Sequence, residues 1–322
     1  MRAIFFNSIK ALCSIWESGK MVFDILAQSS KFSIDYTEDQ CIPANIMDYD
    51  FIVVNYHYTT NNWINKNVVL SIGKPSYCIV TEVGLNHNNL FCATPQIFDH
   101  YIFLDPTIPE NKNVHAFPRP LDIIDYAELT KTASNTADTE ISMDNTVVIG
   151  SFGMGTPGKA WHEIVRAVCN EFDTAIIKFN IVKGKFVPDI MFYKEITLLQ
   201  KLCKPILQNK PGIKLIVTHD VMDKTELVKW CSYNTINCFF YDRYKIGYHA
   251  GLCAVTDQAI LSGKPLLTTG DPTFRHITKY IKPYPEQSIR EAIANTGGDV
   301  AKLCDAWAPS KFLAKFESCL LG

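Results

Sequence analysis

The chain has 322 residues, of which 47% are hydrophobic and 20% charged, a balance that sustains packed cores and excludes an intrinsically disordered chain. Its 31 Lys+Arg against 33 Asp+Glu leave a formal net charge of -2, without the basic excess on which general nucleic-acid binding draws, so no nucleic-acid partner is expected. At this length a single core gives way to two, and two domains are expected.

The opening MRAIFFNSIKALCSIW is apolar, but Asn7 and Lys10 interrupt it and no small-x-small cleavage site follows. Its first residues therefore read as a buried strand rather than a leader. No apolar run approaches the ~20 residues that span a bilayer. Strands are expected at 3–6, 32–36, 51–55, 76–81 and 101–104, runs that are β-branched, aromatic and apolar throughout. Continuous apolarity is what a parallel strand covered on both faces requires. Met21, Val22, Ile25 and Leu26 recur at helical spacing and predict a helix over 21–27. Sequential β-α-β order implies right-handed crossovers and a doubly wound layer.

From 126 to 144 the pattern stops. This stretch contains ELTKTASNTADTEISMD, rich in Thr, Ser, Asp and Asn and without an apolar period, and it reads as a linker. A second alternation follows, with strands expected at 146–149, 175–179, 214–218, 237–240 and 265–268. Helices are expected at 159–171, with Trp161, Ile164, Val165 and Val168 inward, then at 191–207, 224–231, 255–261, 273–281, 286–295 and 298–320. The expected fold class is α/β, with two Rossmann-like doubly wound domains at 1–125 and 145–300 facing a cleft, since ligands sit at strand carboxyl ends and domain junctions.

The 11 cysteines are scattered, without a CxxC, and Cys231 and Cys238 are seven apart. Zinc sites need ligands clustered two to four apart. Reduced core thiols in a reducing, cytoplasmic setting are the expectation, rather than a disulfide framework. Asp48 and Asp50 have Asp-x-Asp spacing but lead into a strand instead of ending one, so no metal is expected.

Residues 147–159 read VVIGSFGMGTPGK, with glycines at 150, 153, 155 and 158 between a strand and a helix. Glycines there let backbone N–H groups approach an anion closely, and a helix N-terminus adds about half a positive charge. Gly153 and Gly155 are thus candidate phosphate-binding positions, and Lys159, placed in the first turn of the expected helix, would contact a diphosphate. The run is not a P-loop, because Ala160 follows the lysine where Ser or Thr is needed. Gly153, Gly155 and Gly158 satisfy the bare GxGxxG spacing, which keeps a dinucleotide site open, although Pro157 disrupts the usual helix entry. The plain alternative is a flexible strand-to-helix turn.

Further on, a strand ends in a polar loop holding Asp242, Arg243 and Lys245, and Gly247 and Gly251 lead to a helix whose start carries Thr256, Asp257 and Gln258. A helix N-terminus beside Arg243 and Lys245 suits phosphates, while Asp257 or Gln258 would hydrogen-bond ribose hydroxyls. The alternative is a solvated charged loop with a capping Asp. Candidate acid–base groups lie in the first half: Glu17 in the long first loop, and His57 and Glu82, each following a buried strand. Each has a structural alternative, as a helix cap, a satisfied loop histidine and a lysine partner respectively. His219 is either structural or ligand-binding, and His276 is expected to pack or meet phosphate.

These segments resemble the donor half of GT-B glycosyltransferases, in particular the retaining group that uses sugar nucleotides. Gln258-Ala-Ile-Leu-Ser-Gly263-Lys-Pro265-Leu-Leu stands where that group has Glu-Ala-x-x-x-Gly-x-Pro-Val-Val. The strand containing 215–219, followed by 226–230, is similar to its strand and helix before the nucleotide base, and 49–57, 75–82 and 114–118 are similar to strands of its first half. The resemblance implies a metal-independent hexosyltransferase without a cofactor, with a nucleotide-diphosphate sugar as co-substrate held by Gly153, Gly155, Lys159, His219, Arg243, Lys245, Asp257 and Gln258. It implies a glycan, lipid-linked or protein acceptor, as in surface glycan synthesis, with room for peripheral membrane contact through that acceptor. It also implies that the final helix, 301–322, returns to the first domain. The chain departs from the group at its two glutamates, having Ala250 and Gln258, and at the strand-end histidine, having Glu82. A sugar-nucleotide 2-epimerase and a binding protein that kept the scaffold without the chemistry stay open beside the transferase, because fold order alone does not choose.

Overall fold

A computed structural model describes residues 1–9, 14–84, 90–92, 94–121, 146–184, 187–242, 251–295 and 298–321. The chain divides into two compact units. One comprises Met1–Asp122, His249–Leu252 and Ala306–Gly322, and the other Ile123–Tyr248 and Cys253–Asp305.

The first unit runs β1 (Arg2–Phe6), α1 (Ser14–Leu26), β2 (Ser33–Thr37), β3 (Phe51–Asn55), α2 (Lys66–Ile72), β4 (Ser76–Val80), β5 (His100–Phe103) and β6 (Val114–Ala116). All its strand pairs are parallel, in the order β2-β1-β3-β4-β5-β6. Side chains alternate between the faces of a strand. Ala3 and Phe5 accordingly join the core that includes Met21, Val22, Ile25 and Leu26 of α1, while Ile4 and Phe6 join the core that includes Val69 and Ile72 of α2. Cover on both faces is why these strands read as unbroken apolar runs.

In the second unit come β7 (Val147–Met154), α3 (Trp161–Glu171), β8 (Ala175–Val182), α4 (Asp189–Gln208), β9 (Ile213–Thr218), α5 (Lys224–Ser232), β10 (Ile236–Phe239), α6 (Val255–Leu261), β11 (Leu266–Thr268), α7 (Ile289–Ala294) and α8 (Gly298–Ala306). This sheet is also parallel, ordered β11-β10-β7-β8-β9. Trp161, Ile164, Val165 and Val168 of α3 are buried against Ile177, Phe179 and Ile181 of β8, the inward face expected from their spacing. The last helix, α9 (Pro309–Leu321), belongs to the first unit, where Phe312 and Phe316 complete the core beside α1.

Several boundaries differ from expectation for identifiable reasons. Helix α1 begins at Ser14, well before 21, because its buried stripe runs Ile15, Ser18, Gly19, Val22 through small residues that carry no apolar signal. Glu17 therefore lies in a helical first turn and not in a loop. Strand β7 continues through Gly150 and Gly153 to Met154, paired with β8 along its whole length, so half of the glycine run is strand. The helix expected over 273–281 is instead a 3-10 turn at Pro272–Phe274 followed by further short-range turns, with Phe274, Arg275 and Ile277 N–H each bonding the carbonyl three residues back. The helix expected over 298–320 is two helices, parted before Pro309, which opens α9. The linker at 126–144 lies outside the described residues.

Candidate functional site

In the second unit β7 pairs with β8 on one side and β10 on the other. Connections leave the two edges of β7 in opposite directions, and ligands of doubly wound sheets bind in the crevice this creates at the strand carboxyl ends. The chain after β7 is stitched across it. Lys159 bridges to Tyr241 in antiparallel fashion, Ala160 N–H donates to the Phe240 carbonyl at 2.8 Å, and Asp242 N–H donates to the Gly158 carbonyl at 2.8 Å.

Lys159 precedes α3 rather than lying in its first turn, since Ala160 is the N-cap residue and the helix starts at Trp161. The residue is 7% exposed. The ammonium packs 5.6 Å from the Trp161 ring centroid and 5.3 Å from that of Tyr241, geometry in which a cation is attracted to the ring faces. It also lies against the bare face of Gly153, where an added Cβ would come within 2.2 Å of Lys159 Nζ and 3.4 Å of Val255 Cγ1 at the start of α6. With φ at +145°, Gly153 occupies backbone space that side chains rarely adopt. The end of β7 and the turn after it thus gather a positive-φ glycine, a buried cation and the head of α6. Gly153→Ala is expected to cost about 1–3 kcal/mol of stability and to push the ammonium aside. Urea melts and pyrophosphate titration read the two effects, and a variant unchanged in both would contradict this geometry.

Gly155 is fixed by its N–H, which donates to the Val182 carbonyl at 2.9 Å, and a Cβ there would meet the Phe192 ring at 2.6 Å. Phe192 in turn meets the His219 ring edge to face at 5.6 Å. His219 is exposed, with Nδ1 2.7 Å from the Ile181 carbonyl. A carbonyl only accepts, so Nδ1–H is the donor and neutral His219 turns a lone pair at Nε2 to the surface. The β9 end is held by Asn180, whose amide donates to the Asp220 carbonyl at 2.9 Å and accepts from Asp220 N–H at 3.0 Å and Thr218 Oγ1 at 3.1 Å.

The other donor-site expectations fare unevenly. Asp257 is buried in the first turn of the seven-residue α6, and Gln258 beside it is half-buried. Arg243 and Lys245 lie outside the described residues. Two hollows flank the lysine turn. One, of about 420 Å³, is lined by Glu163, Tyr241, Asp242, Asp271 and Tyr284. The other, of about 310 Å³, is lined by Pro157, Lys159, Trp161, Glu195 and Leu198.

The first unit has its own reversal point between β1 and β3. Asn7 and Asn55, at the carboxyl ends of these strands, form a buried network. Asn55 Nδ2 donates to Asn7 Oδ1 at 2.7 Å and to the Ile15 carbonyl at 2.8 Å, and Asn7 Nδ2 donates to the Trp16 carbonyl at 3.1 Å. These bonds seat α1 over the sheet, and Gly19 is the point of closest approach. Nearby, Glu38 accepts from the Tyr36 hydroxyl at 2.6 Å and Trp16 Nε1 at 2.9 Å. Burial, with that carboxylate, pushes the Tyr36 hydroxyl up to about 12, so it keeps its proton.

Two of the proposed acid–base residues meet. His57 Nε2 lies 3.1 Å from Glu82 Oε2, and His57 Nδ1 lies 2.6 Å from Thr59 Oγ1. Glu17 sits on a different element, α1. Asn7, Asn55 and Asn180 were missed at the sequence level, although an amide ending an apolar strand, as in FIVVN, is a readable signal. Buried His276 contacts Thr256 Oγ1 through Nε2 at 3.3 Å. Among the described residues, no group of three or more His, Cys, Asp or Glu is placed to hold a metal ion, and no helix is long and apolar enough to cross a membrane.

No family model matches the chain, and no curated protein does. Solved structures do. HepE of Anabaena, in complex with UDP and glucose, is 11% identical with 100% of both chains covered and a TM-score of 0.58. The trehalose-6-phosphate phosphatase N-terminal domain of Candida albicans is 7% identical, covering 99% of this chain and 96% of that one, with a TM-score of 0.64. The UDP-forming alpha,alpha-trehalose-phosphate synthase of Burkholderia vietnamiensis is 10% identical over 83% of this chain and 71% of that one, with a TM-score of 0.59. The chain has the GT-B fold, with two Rossmann-like parallel α/β units.

Proposed function

We propose that the protein is a glycosyltransferase that takes a sugar from a nucleotide-diphosphate donor and passes it to a hydroxyl-bearing acceptor. The observation that carries this reading is the turn after β7, where the Lys159 ammonium packs under positive-φ Gly153 at the point where the sheet order reverses. A buried cation against a side-chain-free glycine at a strand end favours a dense anion such as diphosphate. His219, at the end of β9 with Nε2 outward, would meet the nucleoside, and Gln258 would offer an amide to the ribose. HepE, a protein of the same fold, is known in complex with UDP and glucose, which supports a sugar nucleotide as donor. Catalysis on this reading rests on stabilising the departing diphosphate with Lys159, a preorganised electrostatic effect. The amides of Gly155, Thr156 and Ala160, expected to meet phosphate, are instead bonded to the Val182, Met154 and Phe240 carbonyls.

Incubation with UDP-, GDP-, ADP- and CDP-linked hexoses tests the reading. Release of the nucleoside diphosphate from one of them, slow with water and faster with an added glycan, is the expected result. Deuterium exchange at C2 of the sugar would instead indicate an epimerase. Tight binding without turnover would indicate a binding protein, which the residues Ala250 and Gln258 would suit.

A further inference from the structure

We infer that His100 and His115 form a binding site for a divalent cation of the zinc and copper class. The site lies wholly within the first unit and stands apart from the transferase reading.

Strand register brings the two histidines together. His115 of β6 pairs with Ile102 of β5, and His100, two residues before Ile102, shares its face of the sheet. There His100 Nδ1 lies 3.2 Å from His115 Nε2. Both residues are half-buried, and β6 is an edge strand, so the pair stands at an open margin of the sheet. The His100 ring is held in place by Tyr77, its register partner on β4. The two rings stack with centroids 4.9 Å apart and planes 12° from parallel, and Tyr77 leans in turn on Phe316 of α9 at 5.7 Å. Ligands carried by paired strands and fixed by packing are the kind that hold a metal without reorganising.

The spacing suits such an ion. Zinc takes imidazole nitrogens at about 2.0–2.1 Å, and two such bonds from nitrogens 3.2 Å apart enclose about 99–106°, near the tetrahedral angle. Without metal, one ring N–H donates to the lone pair of the other ring, so one nitrogen already presents a lone pair there. The donor ring needs only to carry its proton on its other nitrogen for a second lone pair to face the same point. Among the described residues neither imidazole has another hydrogen-bond partner, so this change of tautomer breaks no further protein bond and releases no proton. Glu110, the carboxylate that acts on His115, is engaged elsewhere, accepting from Ala116 N–H at 2.9 Å and Lys315 Nζ at 2.8 Å. No third His, Cys, Asp or Glu among the described residues completes a set with the pair, which leaves the remaining positions of the ion to water. Two imidazoles and water suit zinc or copper, and not Mg²⁺ or Ca²⁺, which take oxygen ligands.

The test titrates the full chain with Zn²⁺ in a calorimeter at neutral pH, after EDTA treatment and alkylation of the exposed Cys41 and Cys92 thiols. A strongest site of one Zn²⁺ per chain is expected, with Cu²⁺ tighter and Mg²⁺ not bound. His100→Gln and His115→Gln should each weaken Zn²⁺ binding at least about tenfold. Zn²⁺ should raise the urea midpoint of the parent and of neither variant. Cu²⁺ bound to the parent should show two ring nitrogens by electron paramagnetic resonance, and one in either variant. Zn²⁺ affinity unchanged in either variant, or fewer than two ring nitrogens on Cu²⁺ in the parent, would overturn the site and leave the pair as a hydrogen bond alone. The nitrogen count is read on the parent protein, so it decides the matter even if a variant fails to fold.

Discussion

Lys159→Met is expected to weaken nucleoside-diphosphate binding by roughly 10- to 150-fold without unfolding the second unit. The figure follows from hydrogen bonds to charged groups, which contribute about 1.5–3 kcal/mol each, with about 1.4 kcal/mol per factor of ten. Methionine keeps an unbranched apolar stem and removes the ammonium that packs on the Trp161 and Tyr241 rings. The main-chain bonds at Gly158, Ala160 and Asp242 do not depend on the side chain, so the turn should persist. Calorimetric titration measures the affinity and urea unfolding the stability. A variant that binds as tightly as the parent would show that the cation serves packing alone.

Gly19→Ala should destabilise the first unit by about 2–4 kcal/mol, against the direction that helix propensity gives. In an exposed helix interior the change would gain about 1 kcal/mol. Here the new methyl would sit 2.1 Å from Asn7 Oδ1 and 2.2 Å from Asn55 Nδ2, both held in a buried network. Relief requires α1 to lift or the Asn7–Asn55 bond to break, and each buried amide left without its partner costs about 1–3 kcal/mol. Urea denaturation followed by tryptophan emission reads the change, since Trp16 lies in the same helix. A gain in stability would mean that α1 does not approach the sheet so closely.

The sequence carried the layer structure well, because parallel strands covered on both faces must be apolar without a break and these were. It was least informative where small residues replace apolar ones. Ser18 and Gly19 continue the buried stripe of α1 without raising its hydrophobicity, so the apolar pattern shows only the second half of the helix and leaves Glu17 outside it. The glycines at 150 and 153 suggest a loop after the strand, yet both lie in β7, and Gly150 is where Asn234 packs, a Cβ there falling 1.9 Å from its Nδ2. At the site, Gly153 and Lys159 were legible from their spacing after a strand. The meeting of His57 and Glu82 was not, since it depends on the register of β3 with β4. Asn55 pairs with Ile79, which brings the residues just beyond the two strand ends together. Local pattern contains no such register; only the paired sheet does.

If the turn after β7 grips a nucleoside diphosphate, as proposed, direct titration will read it. UDP, GDP, ADP and CDP should be added in turn to the intact chain in a calorimeter without any acceptor. One of the four is expected to bind at a single site with a dissociation constant in the micromolar range, and inorganic pyrophosphate should compete with it. Failure of all four to bind at millimolar concentration would contradict the account.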